Sequence, residues 1–371
     1  MVKILIVLMG EFKTDGITNN TMNYYLNYNK NKIHIDFLCK GIDSPKQEWL
    51  DMLKNNGSKV YAIPYRNQRT FKYIKEMRKI IREGQYDIVH AMGSSSLLVV
   101  EMYAAYKENI KIRISHSRNS TCKHRILNKI LKPYFFKYTN VRFACGEVAG
   151  KWLYGDKQFT IIRNGNDTNK FEYRNGQDKI LKIDNSKLNI VSVGSINKQK
   201  NYEYFMKVIS ELSKRKINFK YYILGRNPQG LQERLINYLK NNDILDKVEF
   251  IGSVDNPQDY LSASDIFVLP SLYEGFPNVL IEAQMNGISC IVSNTITDQA
   301  CICDNVYRLG ITDNDILKWV DTILCIDKNV DRGFQSKKNI KVLREKGYDI
   351  VENAKWLENK YIELVNSVDK L

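Results

Sequence analysis

Nowhere does the chain hold the roughly 18 to 20 consecutive apolar residues that a membrane-spanning helix needs, which argues against such a span in its 371 residues. The seven cysteines (Cys39, Cys122, Cys145, Cys290, Cys301, Cys303, Cys325) form no CxxC pair. Odd in number and scattered, they speak against a disulfide framework and fit the reduced thiols of a cytoplasm. Cys301 and Cys303 have no histidine nearby to complete a zinc site. Low-complexity segments are missing too, and a composition 43% hydrophobic and 26% charged is that of an ordinary folded protein.

Carboxylates vanish from one long stretch. Between Glu108 and Glu147 there is none, while Lys111, Arg113, Arg118, Lys123, Arg125, Lys129, Lys132, Lys137 and Arg142 crowd the same interval of a chain whose formal net charge is +15. Such a patch attracts anionic lipid headgroups, nucleic acid or phosphorylated ligands. A solvated basic face is the plain alternative. No RNP-type, helix-turn-helix or zinc-finger pattern accompanies the charge, so nucleic-acid binding is disfavoured.

What is present is a rhythm. The apolar run Ile4–Met9 reads as a buried first strand, not a signal-peptide core, because Glu11-Phe12-Lys13 follows without a small-residue cleavage site. Ile33–Cys39, Lys59–Ile63 and Tyr86–His90 read as further strands, with Ile74, Met77, Ile80 and Ile81 at helical spacing between the last two. The pattern restarts at Leu188–Gly194. A helix from Tyr202 to Ser213 follows, then strands at Tyr221–Gly225, Val248–Gly252, Asp265–Pro270 and Ile288–Val292. Strand and helix alternating in this way predict βαβ units and parallel sheets. The length favours two domains: residues 1–165 and 166–349, with a boundary in the polar stretch Arg163–Asp184. The final amphipathic helix, about 350–371, is expected to pack back on the first domain.

The segment Ser271-Leu272-Tyr273-Glu274-Gly275-Phe276-Pro277-Asn278-Val279-Leu280-Ile281-Glu282-Ala283 directly follows a strand. Gly275 permits close approach of backbone to a ligand, Pro277 suits a helix start, Asn278 is a possible cap and Gly287 a helix stop. Free amides at such a start form an anion site that could take a diphosphate without metal. Glu274 and Glu282 would lie about 10 Å apart at a rise of about 1.5 Å per residue, which suits two separate tasks on one long ligand better than a glycosidase pair.

This segment resembles the E-x7-E signature of glycosyltransferase family 4, the retaining group with the GT-B fold. Val193–Asn201 is similar to that family's phosphate-binding loop, Ile162–Asp167 with Lys170-Phe171 to its inter-domain segment, and Ala263-Ser264-Asp265 with Leu269-Pro270-Ser271 to the approach to the signature. The likeness runs over nearly the whole chain, is strongest from about 160 to 300, and leans toward the capsular and exopolysaccharide branch. It implies an α/β protein of two Rossmann-like domains whose parallel sheets face across a cleft, acceptor domain first and nucleotide-sugar domain second.

By resemblance, Glu282 would hold ribose hydroxyls and Glu274 would contact the transferred sugar. The backbone from Gly275 through Phe276, Pro277 and Asn278 to Val279 would hold sugar and phosphates. Lys200 would neutralise the leaving diphosphate, and Val254 would lie near the base. Gly16, in Asp15-Gly16-Ile17-Thr18, takes the place of a glycine-rich loop facing the donor, and His116 that of a catalytic histidine. One departure stands out: Ser195 occupies the place of the family's usual arginine. Unless Lys198 or another cation substitutes, a charge-assisted contact worth roughly a few kcal/mol is lost.

The implied reaction is transfer of a hexose or N-acetylhexosamine, with retention and without divalent metal or other cofactor, from a nucleotide-sugar (a UDP-sugar first) to a glycan or polyprenyl-diphosphate-linked sugar. The basic patch of Arg118, Lys123, Arg125, Lys129 and Lys132 would meet anionic membrane or the acceptor, placing the protein peripherally on the cytoplasmic face. A non-catalytic sugar-nucleotide-binding protein of the same fold is the rival, and a nucleic-acid-binding protein a more distant one.

Overall fold

The computed structural model describes residues 1–368 apart from Ser120, Lys123 and Gly275. The chain divides into two compact units, Met1–Gly165 joined by the chain from Asp349 onward, and Asn166–Tyr348.

The first unit is built on β1 (Val2–Leu8), β2 (Ile33–Cys39), β3 (Val60–Ala62), β4 (Ile88–Gly93), β5 (Ile112–Ser117), β6 (Val141–Ala144) and β7 (Thr160–Ile161). They form one parallel sheet in the order β3-β2-β1-β4-β5-β6-β7. Parallel neighbours need crossovers, and the crossover helices cover both faces, so β1 is apolar on both faces. In β1, Ile4, Ile6 and Leu8 face a core shared with Met22, Tyr25, Leu357 and Tyr361. Leu5 and Val7 face the opposite core, with Met77, Ile81 and Met102. The helix Ile350–Val368 reaches the first core through Ile350, Ala354, Leu357 and Tyr361. The spacing of three and four puts these side chains on one stripe.

The second unit repeats the scheme with β8 (Leu188–Val193), β9 (Phe219–Leu224), β10 (Val248–Gly252), β11 (Ile266–Leu269), β12 (Ser289–Ser293) and β13 (Val306–Leu309), all parallel, in the order β10-β9-β8-β11-β12-β13. Each sheet reverses strand order once, between β1 and β4 and between β8 and β11. In open α/β sheets ligands bind at the carboxyl ends of strands beside such a reversal.

Sequence periodicity missed β5, β6, β7 and β13. β5 explains why: it reads Ile-Arg-Ile-Ser-His-Ser, yet Ser115, His116 and Ser117 are buried. Their polar atoms are satisfied internally, Ser115 against the Tyr154 hydroxyl and Ser117 by donating to the Ala149 carbonyl. Polar residues on a buried strand hide it from an apolar count.

Candidate active site

In the second unit the chain leaves β8 at Gly194 and passes under the loop that follows β9. A Cβ on Gly225 would lie 2.0 Å from the Gly194 carbonyl oxygen, so only glycine allows this approach. The Gly194 amide donates to Leu224 O (2.7 Å) and the Ile196 amide to Arg226 O (2.8 Å). Ser195 lies between them, so Arg226 places a cationic residue on the neighbouring loop. Asn197 accepts from the Lys200 amide (3.0 Å) and turns the chain, and Asn201, left-handed at φ 53°, launches the helix Tyr202–Lys214. Phe205, Val208, Ile209 and Leu212 bury that helix against the sheet. The Lys200 side chain then folds back over Gly194, where a Cβ would stand 2.7 Å from its Cε.

Lys200 Nζ meets Glu274 Oε1 at 2.8 Å, with the two side chains 14% and 8% exposed. Ser271 Oγ donates to the same oxygen (2.8 Å), and Gln199 Nε2 donates to Oε2 (3.0 Å) and to the Tyr273 carbonyl (3.0 Å). The Leu272 amide donates to the Gln199 carbonyl (2.8 Å), which sews the loop after β11 to the loop after β8. A carboxylate has about four acceptor positions. Among the described residues three are taken, two on Oε1 and one on Oε2. Gln199 and Ser271 were not singled out in the sequence; nothing in their spacing marks them as partners of Glu274.

Beyond Glu274 the Phe276 ring stacks on Tyr348 (5.6 Å, 9° between planes). Pro277, not Asn278, is the N-cap; Asn278 is the first residue of the helix Asn278–Met285. The proline ring fixes φ near its own preferred value, here −80°, and pulls the start back by one residue. Pro277, as N-cap, makes no side-chain cap bond, and a helix start of this kind suits an anion. Gly287, at φ 72°, ends the helix where a Cβ would stand 2.6 Å from the Ser336 amide nitrogen. Val254, Phe276 and Val279 pack together on the apolar cluster beneath. Gly275 lies outside the described residues.

Glu282 follows one turn into the helix, between buried Ile281 and Ala283. Its surface is only partly covered, but the protein packed around the carboxyl penalises the charged form and pushes it up to about 7 against the opposing pull of Lys170 and Lys200. Among the described residues no cluster of three or more His, Cys, Asp or Glu side chains could hold a metal ion.

The first unit carries its own cavity of about 950 Å³ at the carboxyl ends of its strands, lined by Gly10 after β1, Lys40 after β2, Ser94 after β4 and Arg118 after β5, together with Asp15 and Thr18. Gly16 opens the helix Gly16–Asn27 and is exposed, with no atom within 4 Å of a Cβ placed on it. Asp15 caps that helix by accepting from the Ile17 (3.1 Å) and Thr18 (2.9 Å) amides. A carboxylate therefore already occupies the helix start where a glycine-rich loop would receive phosphate.

Two expectations need correction here. His116 is not an open hydrogen-bonding group: it is 2% exposed, and its Nε2 faces Arg118 Nη1 at 3.4 Å. Burial and the Arg118 charge hold its imidazole well below the usual histidine range, so it is neutral. Arg118 is not part of an outer basic face. Its Nη2 donates to Asn20 Oδ1 and Asn164 Oδ1 (3.1 Å each), on the wall of the cavity.

The outer basic face belongs to the helix Arg125–Tyr138, where Arg125 and Lys129 are exposed and Lys132 lies 6.0 Å from the Phe136 ring centre. Lys123 falls outside the described residues. On the same helix Ile126, Ile130 and Tyr134 are 79%, 60% and 57% exposed. They repeat every four residues and form an outward apolar stripe beside the cations.

Residues 174–331 match the family model described as glycosyl transferases group 1. Over 97% of its length the chain is 28% identical to the putative glycosyltransferase EpsF of Bacillus subtilis, covering 96% of that protein. It is 26% identical to the UDP-Gal:alpha-D-GlcNAc-diphosphoundecaprenol alpha-1,3-galactosyltransferase of Escherichia coli, over 89% of each chain. The fold matches that of Anabaena HepE solved with UDP (TM-score 0.77, 12% identity, 98% of this chain and 100% of that one). Two Rossmann-like parallel-sheet domains of the GT-B class are the architecture here.

Proposed function

We propose that this chain, a glycosyltransferase whose residues 174–331 belong to the group 1 glycosyl transferases, moves a hexose or N-acetylhexosamine from a UDP-sugar to a lipid-linked or oligosaccharide acceptor in the assembly of a bacterial surface polysaccharide. The observation that carries this reading is the Glu274 cradle. Among the described residues three donors hold one carboxylate beside a helix start whose N-cap is a proline, where it can also accept from a sugar hydroxyl.

The reaction breaks the anomeric C–O bond to phosphate. Positive charge grows on the sugar ring and negative charge on the departing diphosphate. Lys200, whose loop is fixed in advance by the Gly194 and Gly225 contacts, and the Asn278–Met285 helix start would oppose the negative charge with little reorganisation during bond breaking. Glu274 accepts from a sugar hydroxyl and aligns the ring. Glu282 accepts from the ribose hydroxyls. Val254, Phe276 and Val279 offer an apolar floor for base and sugar. The new bond forms on the face the diphosphate leaves, which retains configuration, and charge neutralisation by Lys200 and backbone amides makes a divalent cation unnecessary.

The acceptor side is read from the first unit, where the Arg118 cavity would take the acceptor. The helix Arg125–Tyr138 would rest on anionic lipid at the cytoplasmic face, because an apolar stripe flanked by cations binds the headgroup boundary. The HepE structure with UDP-glucose and the galactosyltransferase that uses a diphosphoundecaprenol-linked sugar lend support to a UDP-sugar donor and a lipid-linked acceptor.

The test is UDP release from a panel of UDP-sugars, in EDTA, with a diphosphoundecaprenol-linked monosaccharide as acceptor. One sugar should turn over, and Glu274→Gln should reduce the rate at least a hundredfold while the protein stays folded. Donor binding without turnover on any acceptor would instead favour a non-catalytic sugar-nucleotide-binding protein, the outcome that Ser195 would then explain.

A further inference from the structure

β4 and β5 carry two histidines into the same core. In β4 the alternation puts Ile88, His90 and Met92 on one face, and in β5 Ile112, Ile114 and His116 share it. His90 Nε2 and His116 Nδ1 are 3.1 Å apart, with ring planes only 17° from parallel. His90 Nδ1 is 2.7 Å from the hydroxyl of Tyr361, which arrives on the helix Ile350–Val368. At the other end stands Arg118, 3.4 Å from His116 Nε2.

The order of protons along this chain follows from its Arg118 end, since a tyrosine hydroxyl can donate or accept. Arginine has only donors, so His116 Nε2 accepts. In a neutral ring the other nitrogen then carries the proton, and His116 Nδ1–H donates to His90 Nε2. His90 must in turn be protonated at Nδ1 and donate to the Tyr361 oxygen. Any other arrangement places two N–H groups, or two lone pairs, face to face in a buried site. Burial and the Arg118 charge disfavour a protonated ring for both histidines.

We infer that Tyr361 and His90 are positioning residues: Arg118 calls for the lone pair on His116 Nε2, His90, itself held by Tyr361, supplies the acceptor that keeps the His116 proton on Nδ1, and His116 in turn holds the Arg118 guanidinium at the wall of the first unit's cavity. Among the described residues Arg118 donates to His116, Asn20 and Asn164, all neutral. The guanidinium thus keeps its full charge for an anionic oxygen, such as an acceptor phosphate. This last step rests on the proposed reading of the first unit as the acceptor side, whereas the relay itself does not.

The experiment is long-range 1H–15N correlation spectroscopy of 15N-histidine-labelled protein, which has only four histidines to assign. In the wild type both His90 and His116 should show the Nδ1–H pattern. His90→Gln should preserve it at His116, because an amide supplies both an acceptor and a donor, while His90→Leu and Tyr361→Phe should make it heterogeneous. In turnover assays His90→Leu should raise acceptor KM at least tenfold with UDP-sugar affinity unchanged, and His90→Gln should restore most of the loss. A wild-type His116 protonated at Nε2, or a His116 pattern identical in all three variants, would overturn the relay. Tautomers that behave as stated alongside full activity in Arg118→Met would sustain the relay and overturn only the acceptor-side reading.

Discussion

On the proposal that Glu282 receives the ribose of the donor, nucleotide binding is pH-dependent. Its carboxyl is pushed from an ordinary 4.5 to about 7. A ribose presents two hydroxyl donors, and the ionised carboxylate is the better acceptor of both. Donor binding therefore selects the charged form and releases a proton wherever the free enzyme holds one. Below the midpoint, affinity should fall about tenfold per pH unit, or about 1.4 kcal/mol, so that binding at pH 5.5 is about 30-fold weaker than at pH 8. Above pH 8 it should be flat. The ligand must be a UDP-sugar, not UDP, because a diphosphate esterified at both ends does not titrate in this range. Isothermal titration calorimetry at several pH values, in two buffers of different ionisation enthalpy, reads both the affinity and the proton count. Glu282→Gln should bind weakly and without pH dependence. Lys170→Met removes a cation that opposes the shift and should move the midpoint upward. A wild-type affinity that is level from pH 5.5 to 8, or that rises on acidification, would refute the placement of the ribose on Glu282.

The same carboxyl affects stability without ligand. Between its unfolded midpoint and about 7 the folded state holds more protons, so stability falls as pH rises through that window; Glu282→Gln should melt above wild type at pH 8 and level with it at pH 4. Gly225→Ala should displace the Gly194 loop, because the added Cβ meets a backbone carbonyl at 2.0 Å; strain of about 1–3 kcal/mol should lower the melting temperature and weaken UDP-sugar binding, whereas Gly16→Ala, with open space around it, should melt like wild type. Sedimentation with anionic vesicles at low salt should fall at least tenfold in affinity when Ile126 and Ile130 are both changed to serine, since each isoleucine buried in lipid is worth about 1.5–3 kcal/mol; undiminished binding would remove the apolar stripe from the membrane account.

The second unit was more legible in the sequence than the first, for a physical reason. In β8, β9, β10, β11 and β12 the apolar runs end at or near Gly or Ser, and those ends are where the site forms, so strand and site carry one signal. Glu274 and Glu282 stood out as two carboxylates framing a strand-to-helix turn, and Lys200 through the resemblance of its loop to the family's phosphate-binding loop. Their holders did not: Gln199 and Ser271 act through contacts between two loops that only the sheet order brings together. In the first unit, β5 buries Ser115, His116 and Ser117, which erases the periodicity that reveals strands. His90 was unassignable for the same reason, because its partners, His116 and Tyr361, are 26 and 271 residues away. The basic stretch gave its charge correctly but not its division, which sends Arg118 inward to the cavity and leaves Arg125 and Lys129 outside on a helix with an apolar stripe.

The central claim is that a uridine nucleotide binds at the loop after β8 and the helix Asn278–Met285. Thermal melting in EDTA, with and without saturating UDP, tests it most directly, since a ligand at a hundred times its Kd adds about 2.7 kcal/mol to the folded state. UDP should raise the melting temperature of the wild type by several degrees and leave Glu282→Ala unmoved. An equal shift in both proteins, or none in the wild type, would contradict the account.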